Sequence, residues 1–294
     1  MVNERMYWIQ AITPLHVGSG RGVGFIDLPI MREKVTNWPL VPGSAVKGVM
    51  REHFVRKNTN EDLIATTFGK GGDDMGNAGS LVLSDARIVC LPVRSLYGTF
   101  AFATCPLVLQ RLNRDLNTCR HGSESVEMSF EDDEIVVTTG SKVERNGNVL
   151  LEDLDFAIIT DNGETNRWAG LLAGFLFPGD ASWQGIFKER FAIMSNNCFS
   201  FLSETGTEVN ARIKIDQDKK IVASGALWYE ESLPSETILA GLAWCDRDYT
   251  QKGITEENIL SKFCPIEALD LQIGGKATVG KGRVRCIFTS VRGE

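Results

Sequence analysis

The chain lacks a hydrophobic segment long enough to cross a membrane. Its longest apolar run extends from Trp168 to Phe177, whereas a membrane-spanning helix needs roughly 20 residues. The N-terminal segment is charged and has no apolar stretch of the kind that signal peptides contain. We therefore expect no membrane association and a cytoplasmic location.

Histidine is scarce, and the cysteines are widely spaced. The three histidines, His16, His53 and His121, are far apart in the sequence, so neither a zinc hydrolase pattern nor a compact Cys-His pair is visible. The seven cysteines never approach the C-x-x-C spacing, and their odd number argues against a disulfide framework. We expect reduced, mostly buried thiols.

The chain also lacks a net basic charge. It has 31 Lys and Arg residues against 38 Asp and Glu residues, a net charge of −7, and nucleic-acid-binding proteins usually carry a basic surface. Two segments depart from this balance, because residues 271–293 hold five basic residues and no acid, and residues 43–57 hold four Lys or Arg against one acid. Acids concentrate in residues 124–134, which we interpret as a solvated insertion, with a surface that faces a basic neighbouring subunit as the alternative.

The composition predicts a single globular domain. With 294 residues, 43% of them hydrophobic, the chain can bury a sizeable core. Strand-like and helix-like segments mix without a strict βαβ alternation, which favours an α+β fold. No repeat or low-complexity linker divides the chain. We expect one domain over residues 1–294, with insertions at about 58–80 and 110–165.

The clearest local pattern is a helix that begins after Pro42. Ser44 is its predicted N-cap, and Lys47 and Arg51 share one face of it because they are four residues apart. A strand is predicted at 6–13 and a loop over the glycine-rich residues 69–79. Further helices are predicted at 106–116, 166–177 and 256–263, and strands at 80–93, 98–103, 149–159, 220–229 and 237–244.

Glycine occupies positions 18, 20, 22 and 24, and Asp27 follows. Alternating glycines strip one face of an extended segment of side chains, so a ligand can approach the peptide N–H groups closely. A phosphodiester is the candidate ligand. The alternative is a flexible surface loop in which Asp27 begins a turn before Pro29.

Two glycine patterns approach nucleotide-binding motifs without matching them. Residues 275–282 have the Walker A spacing until Gly282, where the motif needs a Ser or Thr hydroxyl for magnesium. The residues after Gly282 alternate like a strand, whereas a P-loop opens a helix. The glycines at 18–24 do not form G-x-G-x-x-G either. ATP or dinucleotide binding is therefore not expected.

Three motifs occur together in this chain. They are His16-Val-Gly-Ser-Gly with Asp27-Leu-Pro, the helix segment 42–51, and the late segment 273–283. Together they resemble the RAMP superfamily of CRISPR proteins. Their order, with Asp27-Leu-Pro-Ile and the segment 227–234, is similar to the repeated backbone subunit of the type III-B Cmr effector complex. The resemblance covers nearly the whole chain, except for roughly residues 110–165, which match no motif.

The resemblance implies a ferredoxin-like, RRM-related core with inserted finger and thumb elements. Several copies would stack along one CRISPR RNA, with complementary target RNA and other Cmr subunits, including the large Cas10-type subunit, as further partners. The residues implied in RNA binding are Gly18, Ser19, Gly20, Ser44, Lys47, Arg51, Gly274, Gly275, Lys276, Gly280, Lys281 and Gly282. Backbone N–H groups between lysines form concavities that bind anions. For Lys47 and Arg51 the alternative is an ordinary solvated helix face.

The same resemblance assigns Asp27 to metal-dependent cleavage of target RNA, with Mg²⁺ or Mn²⁺. Asp27 would bind the ion or help to remove the 2′-hydroxyl proton, and the sequence leaves both roles open. His16 is a candidate general acid or base, or it contacts phosphate or packs inward. Glu230 and Glu231 are candidate helpers, with an exposed acidic turn as the alternative. The competing function is a non-catalytic RNA-binding filament scaffold.

Overall fold

A computed structural model describes residues 4–20, 22, 24–71, 76–122, 126–215, 222–250 and 252–289. The helices are α1 (Gly43–Arg56), α2 (Glu61–Phe68), α3 (Pro106–Thr118), α4 (Glu164–Leu176), α5 (Ala181–Lys188), α6 (Asn196–Thr205) and α7 (Glu256–Phe263). A short 3-10 helix spans Ala277–Val279. Over these ranges, no helix has the length and apolar character to span a membrane.

The strands in the same ranges are β1 (Arg5–Ala11), β2 (Leu40–Val41), β3 (Gly69–Lys70), β4 (Asn77–Ala78), β5 (Leu81–Leu83), β6 (Ala86–Arg94), β7 (Phe100–Thr104), β8 (Glu134–Val137), β9 (Glu144–Arg145), β10 (Asn148–Leu151), β11 (Leu154–Ile158), β12 (Phe191–Met194), β13 (Glu208–Ile215), β14 (Val222–Ser232), β15 (Ile238–Cys245), β16 (Leu269–Gln272) and β17 (Arg283–Phe288). Most of them join one 13-stranded sheet, while β13 and β14 pair separately.

The central part of the sheet has a ferredoxin-like topology. Along the chain, β1, α1, β6, β15, α7 and β17 form a βαββαβ unit. In the sheet these strands lie in the order β17, β1, β15, β6, and each neighbouring pair is antiparallel. That is the fourth, first, third and second strand of the unit, the arrangement of a ferredoxin-like fold. The predicted α+β class and RRM-related core are confirmed.

Strand β1 is buried on both faces, which explains its unbroken run of large side chains. Successive side chains of a strand point to opposite faces of the sheet. Tyr7 and Ile9 lie in the hydrophobic cluster that contains the buried faces of α1 and α7. Met6 and Trp8 lie in the cluster that contains those of α3 and α4. The sheet is therefore a middle layer between two sets of helices.

The longest connection between core strands runs from the end of β6 to the start of β15. Within it, β7, β12, β8, β11, β10 and β9 extend the main sheet beyond β6. The β13–β14 hairpin leaves the sheet and ends next to β15 in the chain. This connection brings the hairpin to the same region as the N-terminal glycines, because β1 and β15 are neighbours.

The predicted start of α1 is correct, but its predicted cap is wrong. The helix begins at Gly43, directly after Pro42, and the Gly43 N–H donates to Asp85 Oδ1 at 2.9 Å. Ser44 is exposed inside the first turn and makes no capping bond. The capping oxygen therefore comes from a residue that is distant in the sequence, which local pattern cannot reveal.

Of the other local predictions, some agree with the structure and some do not. The predicted helix at 256–263 is α7, and the strand at 6–13 is β1. Residues 69–79 are not simply a loop, because β3 and β4 pair there. The predicted strand at 149–159 is a hairpin of β10 and β11. The cysteines are unpaired thiols and all are buried except the half-buried Cys198, as expected.

Candidate active site

The glycines and Asp27 belong to one folded segment, residues 15–32, here the Asp27 segment. Its beginning is bound to Leu233, because Leu15 and Leu233 exchange two backbone hydrogen bonds of 2.9 Å each. Its later part lies along β14, where the Leu28 N–H donates to the Tyr229 carbonyl at 3.1 Å. The two arms also bind each other, through Met31 N–H to the Val17 carbonyl at 2.8 Å. The segment is therefore anchored at both ends.

Gly22 closes the tip of the Asp27 segment. Its N–H donates to the Asp27 carbonyl at 3.0 Å. A Cβ at this position would lie 2.5 Å from the Ile26 carbonyl oxygen and 3.0 Å from Pro29 Cδ. Only glycine permits so close an approach of two backbone strands. Gly18, Ser19 and Gly20, predicted to meet RNA, are exposed on the arm that precedes this closure.

Asp27 is exposed, and one of its oxygens is fixed. Its Oδ2 accepts a hydrogen bond from the Tyr229 N–H at 2.8 Å, so β14 sets the orientation of the carboxylate. Because the side chain remains accessible to solvent, its other oxygen can meet a ligand. Asp27 therefore presents a carboxylate to solvent, and its role in cleavage stays a prediction.

Glu231 is a buried structural carboxylate, only 2% exposed. Its Oε2 accepts from the Ile30 N–H at 3.0 Å, and its Oε1 accepts from Arg32 Nη2 at 2.5 Å and from Thr207 Oγ1 at 3.0 Å. These bonds tie the Asp27 segment to β14 from the inner side. The interpretation of residues 230 and 231 as an exposed acidic turn is wrong, because both lie in β14.

Glu230 points to the other face of β14 and is also 2% exposed. Its Oε1 accepts from Lys276 Nζ at 2.7 Å and from Trp228 Nε1 at 2.8 Å, and its Oε2 lies 3.4 Å from Arg212 Nε. Burial by itself raises the pKa of Glu230, but the bonds from Lys276 and Trp228 and the nearby cations outweigh it and hold the pKa at about 2. Glu230 is therefore an ionised clamp between β14 and the late glycines.

His16 packs inward beneath the glycines. Its Nδ1 lies 2.6 Å from the Glu231 carbonyl oxygen, which assigns the proton to Nδ1. Its Nε2 faces Gly18, where a Cβ would lie only 3.0 Å away. The ring is buried, so the packing alternative describes its position. The His16 carbonyl accepts from the Gly275 N–H at 2.9 Å and thereby joins the Asp27 segment to the late glycines.

These late glycines form a second loop, residues 274–282, here the glycine loop. Gly274 has φ of +80°, and a Cβ there would lie 2.2 Å from the His16 carbonyl oxygen. Gly282 has φ of +83°, and its Cβ would lie 2.1 Å from the Ile273 carbonyl oxygen. Strand β17 follows directly, so the loop does not open the helix that a P-loop requires.

The lysines of the glycine loop are less available than predicted. Lys281 is buried, and its Nζ donates to Ser232 Oγ at 2.7 Å. Burial also lowers its pKa. Lys281, predicted among the RNA-binding residues, therefore has its ammonium directed to Ser232 within the fold, and Gly282 is buried as well. Lys276 is half-buried on Glu230, while Gly274, Gly275 and Gly280 are exposed.

Helix α1 presents one of its two predicted RNA-binding cations freely. Arg51 is exposed. Lys47 is half-buried, because its Nζ donates to the Leu81 carbonyl at 2.6 Å, and burial lowers its pKa. The i and i+4 spacing places both on one side of the helix, yet the Lys47 side chain is bound to β5 through Leu81.

Comparison with known proteins identifies the family. The sequence profile of the RAMP superfamily matches residues 8–285. The chain belongs to the RAMP superfamily. This RAMP protein is 32% identical over 288 residues to the Pyrococcus furiosus protein named CRISPR system Cmr endoribonuclease Cmr4, and the match covers 96% of this chain and 95% of that protein. The resemblance stated from the motifs is confirmed.

Solved structures share the fold of this RAMP protein. The crystal structure of oligomeric Cmr4 from Pyrococcus furiosus superposes with a TM-score of 0.76, at 26% identity, over 98% of both chains. A chain of the type III-B Cmr-beta complex bound to cognate target RNA superposes with a TM-score of 0.74, at 20% identity, over 97% of this chain and 96% of that one. The latter likeness concerns the fold alone.

The carboxylates of this RAMP protein do not gather into a closed metal site. Across the described part of the chain, no group of three His, Cys, Asp or Glu residues is placed to hold a metal ion. Glu230 and Glu231 are engaged by cations and N–H groups, so Asp27 is the accessible one of these three carboxylates. Mg²⁺ commonly binds one or two carboxylates together with substrate phosphates and water. The donor set therefore fits an ion that an RNA phosphate would share.

Sequence reasoning missed the residues that position Asp27. Tyr229 acts through its backbone N–H, and Arg32 acts through the buried Glu231. The predicted strand at 220–229 stopped short of Glu230 because Pro234 suggested a turn, whereas β14 continues to Ser232. The pairing of that strand with Leu28 is long-range, so no local pattern contained it.

Proposed function

We propose that this RAMP protein is the repeated backbone subunit of a type III-B CRISPR ribonucleoprotein complex and that it cleaves target RNA complementary to the CRISPR RNA. The observation that carries the catalytic part is the exposed Asp27 carboxylate, oriented by the Tyr229 N–H in a glycine-rich segment. Its partners would be CRISPR RNA, target RNA, further copies of itself and the other Cmr subunits, including a Cas10-type subunit. A cytoplasmic location stays a prediction.

The proposed reaction is an attack by the target RNA on itself. The 2′-oxygen of one nucleotide forms a bond to the adjacent phosphorus, and the bond from phosphorus to the 5′-oxygen of the next nucleotide breaks. The 2′-hydroxyl proton leaves, the 5′-oxygen gains a proton, and the products are a 2′,3′-cyclic phosphate and a 5′-hydroxyl. Asp27 would either hold a divalent ion at the scissile phosphate or accept the 2′-hydroxyl proton.

In the first of these roles, Asp27 would hold the divalent ion, Mg²⁺ or Mn²⁺, together with a phosphate oxygen of the target. When bound, such an ion stabilises the negative charge that develops on the phosphate. Glu231 would act as a positioning residue, because its bonds to Ile30 and Arg32 fix the Asp27 segment against β14. Glu230 would keep the glycine loop beside β14 through Lys276. His16 would support both loops from beneath.

RNA binding would use exposed backbone and few free cations. The exposed glycines of both loops offer N–H groups to phosphates, and Arg51 of α1 offers a charge. The β13–β14 hairpin fits the expected thumb. Its cross-strand pair Ile213 and Leu227, with Tyr229 two residues on, gives one face of the hairpin exposed apolar side chains that could pack against bases.

The test is Asp27→Asn in the assembled complex. We expect target cleavage with Mg²⁺ or Mn²⁺ to fall by about 100-fold or more, since the substitution removes the negative charge. Target affinity should stay within about twofold, because the Asn side-chain oxygen can still accept from Tyr229. Single-turnover cleavage and equilibrium target binding are measured side by side.

The matched control is Asp155→Asn, since Asp155 is an exposed aspartate on β11, outside the site. We expect it to cleave as the unaltered complex does. Unchanged cleavage in the Asp27 variant would overturn the catalytic assignment and favour the filament scaffold as the function of this chain.

A further inference from the structure

Phe25 lies at the tip of the Asp27 segment, two residues before Asp27, and its side chain is 99% exposed. Among the described large apolar side chains only Val35, at 93%, approaches this value, and the other exposed ones reach at most 70%. A side chain left fully in water contributes no burial to the fold. Phe25 therefore does not stabilise the fold of this chain, and its exposure needs another explanation.

The backbone around Phe25 is closed from within. Gly22 and Asp27 are hydrogen-bonded across the tip, and Gly22 packs against Ile26 and Pro29. The space beneath the tip is thus filled, and Phe25 stays on the solvent side. Two residues of chain separate Cα atoms by at most about 7 Å, so the ring lies within reach of any nucleotide whose phosphate meets Asp27.

Attack by a 2′-oxygen needs that oxygen, the phosphorus and the leaving 5′-oxygen nearly in line. In stacked helical RNA these three atoms are not in line. A nucleotide reaches the in-line geometry when its base leaves the stack. Unstacked bases are commonly received by aromatic side chains. An exposed planar ring beside the proposed cleavage carboxylate matches that need.

We propose that Phe25 stacks on a base of target RNA next to the scissile phosphate and holds that nucleotide in the geometry required for cleavage. The proposal rests on the proposed function. Phe25 acts here as a target-positioning residue. The step adds no new chemistry, since the ring only binds a base that would otherwise return to the stack.

The experiment compares Phe25→Leu, which keeps apolar bulk, with Phe25→Tyr, which keeps the planar ring, in the assembled complex. The target carries 2-aminopurine at one of the two nucleotides flanking a cleavage site, with a 2′-deoxy sugar at the scissile nucleotide to prevent reaction. We expect quenched fluorescence at one of these positions in the unaltered and Tyr complexes and a loss of that quenching in the Leu complex.

Cleavage of ordinary target RNA provides the second readout. Phe25→Leu should slow single-turnover cleavage by about tenfold with target affinity within about twofold, and Phe25→Tyr should restore the rate. Val35→Ala is the control for loss of an exposed apolar side chain and should behave as the unaltered complex does. Assembly of each complex is checked by mass.

Equal quenching and equal rates in the Leu and Tyr variants would overturn the proposal. A defect in assembly, instead of in quenching, would also overturn it and would indicate that Phe25 contacts protein. The failure of this proposal can be told apart from the failure of the proposed function. If Asp27→Asn abolishes cleavage while Phe25→Leu cleaves and quenches as the unaltered complex does, the proposed function stands and only the role of Phe25 is overturned.

Discussion

The Asp27 segment and the glycine loop look alike in sequence but differ in what they expose. Each sets glycines beside charged residues, and the two meet through the bond between Gly275 and His16. In the Asp27 segment the charged group is exposed, and its Oδ2 accepts a hydrogen bond from the Tyr229 N–H. In the glycine loop, Lys281 is buried on Ser232 and Lys276 is paired with Glu230.

This difference shows that glycine opens the backbone, whereas the neighbours of a charged side chain decide whether its charge is available. Strand β14 separates the two cases. Its Tyr229 N–H orients Asp27 without covering it, and its Glu230 side chain takes up a lysine of the glycine loop. We therefore expect the Asp27 segment to act through its side chain and the glycine loop mainly through its backbone.

The largest expected effect tests the backbone role of the glycine loop. Gly282→Ala should destabilise the chain by about 3 kcal/mol, because the new Cβ meets a carbonyl oxygen at a positive φ. Gly280→Ala is the matched variant, since Gly280 has φ of +84° with open space around it, and it should cost only about 1 kcal/mol. Urea denaturation measures both. Equal losses would mean that close packing does not hold this loop.

The second prediction tests the clamp at Glu230. Its folded pKa of about 2 lies below the ordinary value of 4.5, so the interaction stabilises the fold above about pH 4.5 and is lost as the pH falls toward 2. From about pH 6 to about pH 3, the unfolding free energy should fall by about 2 kcal/mol more in the unaltered chain than in Glu230→Gln.

The control for this pH dependence is Glu144→Gln, because Glu144 is an exposed glutamate on β9. Its unfolding free energy should follow the unaltered chain across the same range. If Glu230→Gln followed it too, the glycine loop would not depend on the Lys276 pair, and the contrast between the two segments would weaken.

The smallest effect concerns which cations meet RNA. Arg51→Ala should reduce the slope of log affinity for CRISPR RNA against log salt concentration by about 0.7, the value for one contact to single-stranded phosphate. Lys281→Met should leave the slope unchanged, because its ammonium is buried. Fluorescence titrations of the full chain at several salt concentrations measure both. A reduced slope for Lys281→Met would show that RNA draws this lysine out of the fold.

Elements with dense local patterns were predictable from the sequence. Helix α7 was predicted with its observed ends, and the structure shows the local reason, since Thr255 caps it together with Asn258. The N-cap of α1 was not, because Asp85 reaches it from another part of the chain. Likewise, Glu230 and Glu231 resembled an exposed turn until the pairing of β14 with β13 and the Asp27 segment buried them.

The motifs of the sequence determined the family and the candidate carboxylate, the mixture of elements indicated an α+β fold, and the ferredoxin-like core followed from the resemblance to the family. Only the tertiary structure decided which charged groups are free. Burial and ion pairing depend on residues about 200 positions apart, as in the bond between Asp27 and Tyr229, and such contacts leave no local trace. For this reason Asp27 and Phe25 face solvent, while His16, Glu230, Glu231 and Lys281 lie within the fold.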